Sequence, residues 1–152
     1  MIIGNNYMII YTIGFTKKKA AEFFNILKRA GIKRLIDIRL NNSSQLAGFT
    51  KSDDLKYFLK EICGADYFHE TILAPTEDIL NEYKKSGHDW QQYENKFLKL
   101  LSDRKIEEKI RPETFEIPTV LLCSEATPEQ CHRRLVLEYL RDKWGNINIY
   151  HL

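Results

Sequence analysis

Residues 123–134 read Cys-Ser-Glu-Ala-Thr-Pro-Glu-Gln-Cys-His-Arg-Arg and follow the apolar run Pro118-Thr119-Val120-Leu121-Leu122. Two thiols, an imidazole, a carboxylate and two guanidiniums thus surround one strand-to-helix turn. Such a set can be a reaction centre, a metal site, an anion cradle, or a core helix with a polar first turn. A helix start offers free backbone N–H groups and a positive dipole end, which favour an anion or a thiolate. Cys131 or Cys123 is then a candidate nucleophile, and the residues do not choose between them. Glu125 is a candidate base or orienting partner for His132. Metal is not expected, because Cys-x7-Cys-His is not a common zinc spacing. The sixth residue after Cys123 is Glu129, not the arginine that a cysteine-phosphatase loop requires. Glycine-rich nucleotide signatures are absent.

The elements that must position these residues alternate along the chain. Strand patterns fall at 8–13, 35–38, 66–69, 119–123 and 147–150. A helix with Ala20, Phe23, Phe24, Leu27 and Ala30 on one face is predicted behind a Thr16 cap and stopped by Gly31. A second, behind a Ser52 cap, carries Leu55, Phe58, Leu59 and Ile62 and closes at Gly64. Two more are predicted at 77–85 behind Thr76 and at 90–108 behind Asp89. The last opens at Thr127 and Pro128, a capping-box pattern with proline at the first helical position. The alternation predicts an α/β fold: a mostly parallel five-stranded sheet with helices on both faces, a Rossmann-like three-layer sandwich. One domain over 1–152 is expected.

Ligands of such sheets bind beyond the carboxyl ends of the strands. The residues there are Gly14 and Thr16, then Asp37 and Arg39, then His69, then Cys123 and Glu125, then His151. Gly14, Thr16, Asp37, Arg39 and Arg133 are the expected anion-binding set, since arginine forks onto phosphate or carboxylate; the alternative for Asp37 and Arg39 is a structural ion pair that anchors the following long loop. Residues 40–52 form a long polar connection of the kind often used as a binding loop. Asn41 and Asn42 are its candidate contacts, with Phe49 as a stacking or anchoring residue. The remaining aromatics fall at helical spacing and read as core.

Composition sets outer limits. The chain has 152 residues, 43% hydrophobic and 29% charged, with net charge +2. No global nucleic-acid footprint follows from that charge. Three cysteines make no regular framework and argue for a reducing, cytoplasmic setting. The first residues do not read as a signal peptide, and no apolar run reaches membrane-spanning length.

The motifs Tyr-Thr-Ile-Gly (11–14), Ile-Asp-Ile-Arg (36–39), Leu-Asn-Asn-Ser-Ser-Gln-Leu-Ala-Gly-Phe (40–49) and the Cys-Ser-Glu…Pro-Glu-Gln-Cys-His-Arg-Arg run together resemble the bacterial and archaeal family catalogued as domain of unknown function 488. The resemblance covers nearly the whole chain. Many members have a histidine after Thr-Ile-Gly, where Phe15 stands here. The resemblance implies a small stand-alone cytosolic protein and implies no activity. It marks Gly14, Asp37, Arg39, Cys123, Glu125, Cys131, His132 and Arg133 as motif positions.

The leading expectation is a site for an anionic, phosphate- or nucleotide-bearing small molecule at the carboxyl edge of the sheet. Arg39, Arg133 and the last helix start would hold the anion, and His132 and Glu125 would move protons. One rival is a non-catalytic nucleotide or nucleic-acid binding module. Another is a thiol or redox protein using Cys131 or Cys123. No cofactor, membrane partner or oligomeric state is indicated.

Overall fold

The computed structural model describes residues 7–43, 48–125 and 127–152. Its centre is a five-stranded sheet in the order β3-β2-β4-β1-β5, parallel throughout. The strands are β1 (Met8–Gly14), β2 (Arg34–Asp37), β3 (Asp66–His69), β4 (Thr119–Cys123) and β5 (Ile147–His151). The helices between them are α1 (Ala20–Arg29), α2 (Ser52–Phe58), α3 (Glu77–Lys85), α4 (Trp90–Arg104), α5 (Ile106–Lys109) and α6 (His132–Trp144). This is the expected three-layer α/β arrangement. No helix among the described residues is long and apolar enough to cross a membrane.

Alternation along β4 divides the core. Leu121 and Cys123 face α4, α5 and α6, together with Phe97, Leu135 and Leu140. Val120 and Leu122 face α1 and α2, together with Phe23, Phe24, Leu27 and Leu55. All five β4 residues are buried, the pattern of a central strand covered on both sides. The chain leaves β1 and β2 toward the α1/α2 face but leaves β4 toward the α6 face. The carboxyl end of β4 is therefore where connections diverge, the position at which open α/β sheets form a crevice.

Four helix boundaries differ from the sequence expectation. Thr16 does not cap α1; its Oγ1 donates to the carbonyl of Ser124, and the helix begins behind Lys19 without a side-chain cap. Ser52 is the first residue of α2, not its cap. The expected single helix over 90–108 breaks at Lys105, which takes a left-handed conformation (φ 51°) and lets Ile106 turn into the core. At α6 the shift bears on the site. Residues 127–130 form bends and a turn, and the helix starts at His132 with Cys131 as its N-cap. The other two predicted caps hold: Thr76 and Asp89 accept from the backbone N–H of Ile79 and Gln92.

A smaller difference closes α2. The chain continues through one π-helical turn, Leu59–Cys63, to Gly64 in the left-handed region. That wider turn rotates the face, so Cys63 is buried and Ile62, expected inside, is exposed.

Candidate active site

The segment leaving β4 and the first turn of α6 bring three soft donors together. Cys123 ends β4, fully buried, and Cys131 is buried beside it. Their sulfurs are joined, with the Cα atoms 7.6 Å apart. The ligating atoms of Cys123, Cys131 and His132 all lie within 4.8 Å of one another. Cys63, the other cysteine, is buried among the α1/α2 helices and takes no part.

His132 is held from behind. Its Nε2 stands 2.7 Å from the carbonyl oxygen of Ile38. A carbonyl only accepts, so Nε2 carries the proton and Nδ1 keeps the lone pair. The ring edge also meets Phe97, at 5.5 Å between centroids. Burial pushes the imidazole pKa down to about 4 against a smaller opposing pull from the Ile38 carbonyl and Asp37, so the ring is neutral near pH 7. Glu125, expected to orient His132, does not: the Ile38 carbonyl has that role. The exposed Glu125 side chain instead lies on the side of Tyr83 and Tyr93, whose phenols its charge helps to push up after burial.

Asp37 and Arg39 form a buried pair. Arg39 Nε and Nη2 donate to the two Asp37 carboxylate oxygens at 2.8 and 2.7 Å, and Nη2 also donates to the Thr50 carbonyl. Asp37 accepts a further bond from the Tyr67 hydroxyl at 2.7 Å, which in turn accepts from Asn42 Nδ2. The guanidinium lies over the Phe15 ring. The arginine fork expected to grip an anion is thus spent on Asp37, and Asp37 is fully buried. Only Arg39 Nη1 has no hydrogen-bond partner among the described residues.

Arg133, Gly14 and Thr16 gather elsewhere, at the end of β1. Arg133 is wholly buried; its Nη1 donates to the Glu125 carbonyl at 3.0 Å, while Nε and Nη2 lack partners among the described residues. Desolvation lowers its pKa to about 10, opposed by Glu129 and Glu125. Gly14 is required here by space. A Cβ on it would overlap the Glu125 carbonyl oxygen and press on Arg133 Nη1. Thr16 and Arg133 therefore hold the 124–125 backbone from the β1 side.

A cleft of about 810 Å³ opens at the carboxyl ends of β2 and β4. Arg39, Cys123, Cys131 and His132 line it together with Glu125 and the exposed Asn41. Its opposite wall is aromatic: Tyr83, His88, Trp90 and Tyr93, with Trp90 stacked on Tyr93 at 5.0 Å. Helical spacing marks Trp90 and Tyr93 as core, and Tyr93 is buried. Their second use had one signal in the sequence, the crowding of four rings into residues 83–93. Phe49 is not at the cleft; it packs on Phe23 and Phe24 as an anchor. Residues 44–47 of the expected loop lie outside the described residues.

Among known proteins, the family model described as domain of unknown function DUF488 matches residues 19–140. No curated protein and no solved structure matches the chain.

Proposed function

Since the chain belongs to the DUF488 family, whose description assigns no chemistry, we propose from the geometry that the β2/β4 cleft binds a small anionic ligand carrying a planar ring, and that the Cys123–Cys131–His132 floor acts on it. The observation that carries this reading is the single cleft that joins an aromatic wall to a thiol–imidazole floor. Trp90, half-buried and backed by the buried Tyr93, suits the flat face of a nucleobase-like group. Arg39 Nη1 offers an unused N–H donor, its charge being matched by Asp37, and Lys84 supplies positive charge at the same opening. Neutral His132 is a proton acceptor at Nδ1, and Glu125 at the rim is a second one. The setting proposed for this chemistry is the reducing cytoplasm.

The test is a thermal-shift screen of reduced protein against phosphate, sulfate, nucleosides and nucleotides. Nucleotides should raise the melting temperature more than phosphate or nucleoside alone, because binding to the native state alone must stabilise it. Trp90→Leu and Lys84→Glu should each reduce the shift. No shift with any compound at millimolar concentration would refute the reading.

A second reading is favoured by the joined sulfurs. A Cys123–Cys131 dithiol that cycles between thiol and disulfide would make the chain a redox protein. It predicts a defined two-electron midpoint in a glutathione titration, unaffected by Lys84→Glu.

A further inference from the structure

We propose that Cys123, Cys131 and His132 form a three-donor site for a soft divalent ion such as zinc, with the fourth position open to the cleft. This rests on the reading of the thiol–imidazole cluster as the working floor of that cleft.

Ordinary disulfides span about 4.4–6.8 Å between Cα atoms. The Cys123 and Cys131 Cα atoms stand 7.6 Å apart. Two sulfurs on one tetrahedral zinc, each at about 2.3 Å, stand about 3.8 Å from each other. Backbones set this wide accommodate an ion between the side chains once the thiols are reduced. The third donor is already oriented. His132 donates from one ring nitrogen to the Ile38 carbonyl, which fixes the tautomer and leaves Nδ1 bare. A ligating histidine almost always holds its other nitrogen in this manner.

The donor set also selects the metal. Two sulfurs and an imidazole prefer zinc or its softer neighbours and disfavour magnesium and calcium. Glu125 is outside the donor cluster, since the group of converging ligand atoms comprises Cys123, Cys131 and His132. Three protein ligands with one free position is the pattern of catalytic rather than closed structural zinc. All three donors line the cleft, so the free position faces it. Sequence spacing gave no hint of this, because the strand end, the N-cap and the first helical residue are brought together by the 124–130 turn rather than by a short chelating loop.

A phosphine first reduces the joined pair to two thiols and is itself oxidised to the phosphine oxide, with water supplying the oxygen and both thiol protons. The ion then binds with loss of one proton from each thiol, so two protons leave per ion bound, and His132 contributes a lone pair without losing a proton.

The test uses the 152-residue, metal-free, phosphine-reduced chain under anaerobic conditions, titrated with Co2+. One Co2+ should bind per chain, with a sulfur-to-cobalt charge-transfer band and strong visible bands of four-coordinate cobalt, both removed by Zn2+. Azide should alter the visible bands, because the fourth position is open. Cys131→Ala should weaken binding by more than the roughly ten- to hundredfold that losing an outer hydrogen-bond partner costs. Cys63→Ala should bind like the parent.

Because Cys131→Ala can fail to fold, a second measurement uses the parent chain: Zn2+ should protect Cys123 and Cys131, mapped by mass spectrometry, from alkylation. The inference is overturned by a pale six-coordinate spectrum, by no binding, by visible bands that azide leaves unchanged, or by alkylation at both positions in the presence of Zn2+. The cleft-ligand reading is tested without metal, so a failed nucleotide screen beside an intact cobalt spectrum sinks that reading alone.

Discussion

The imidazole of His132 donates to the carbonyl of Ile38, tying the first residue of α6 to the chain just past β2 across 94 residues of sequence. The bond does two jobs. It ties the helix start to the end of the sheet and it fixes the tautomer, leaving Nδ1 as the nitrogen with the lone pair. His132→Ala leaves the Ile38 carbonyl without its partner and removes the contact with Phe97. The expected cost is about 1–3 kcal/mol. His132→Gln can still donate an amide N–H and should lose less. Urea midpoints of the two variants check this, and equal losses would mean that packing alone decides.

The same histidine makes metal-free stability fall in acid. Its folded pKa is lowered to about 4 from 6.5, chiefly by desolvation. The unfolded chain therefore takes up the proton first. The contribution is present in full above about pH 6.5 and is lost as pH falls through the window down to about 4, by up to about 3 kcal/mol. Stability of the parent and His132→Gln measured between pH 7.5 and 4 should converge at the acid end. Parallel curves would refute the assignment.

Gly14 and Gly31 should respond differently to alanine. Gly31 stands in open space at φ 69°, so Gly31→Ala incurs only left-handed strain, about 1 kcal/mol. Gly14 faces the Glu125 carbonyl and the Arg133 guanidinium. Gly14→Ala must move backbone, at a cost at or above the roughly 1–3 kcal/mol of ordinary overpacking. It should also change cleft binding, because the displaced segment carries Glu125. A Gly14→Ala protein as stable as Gly31→Ala would count against this packing.

The Asp37–Arg39 pair should behave as a buried pair and Lys60–Asp66 as a surface one. Asp37→Ala leaves a guanidinium buried without its partner and should cost about 3–5 kcal/mol. Lys60→Ala removes one arm of a pair in which both side chains are mostly exposed and should cost under about 1 kcal/mol. Thermal denaturation of both variants in one buffer decides it.

Strands were legible because buried β4 and the Val/Ile/Leu runs of its neighbours carry their own signal, and their positions differ from expectation by a residue at most. Helix starts were less legible. Thr16 and Thr127 look like caps locally, but a hydroxyl takes whatever partner the tertiary fold brings nearest. For Thr16 that partner is the Ser124 carbonyl, which arrives from 108 residues away. The site was legible as a set of residue types, and Cys123, Cys131 and His132 do converge. The partition was not. Arg133 and Gly14 fell to the β1 side because of strand order, whereas the pairing of Arg39 with Asp37, two residues away, is local and was one of the two readings the sequence allowed. The order placed β4 between β1 and β2, and no local pattern encodes it.

The cleft is assembled from two stretches of chain with different jobs. The floor comes from one β4-turn-α6 unit, while the ring-bearing wall comes from α3, α4 and the turn between them. The exposed part of the wall, Lys84 and His88, can therefore vary while the buried Tyr93, stacked on the Phe97 that meets His132, stays fixed. A lineage built on this plan can keep the floor and reshape the mouth of the cleft by rewriting residues 84–88, and an engineer can do the same by grafting that stretch alone.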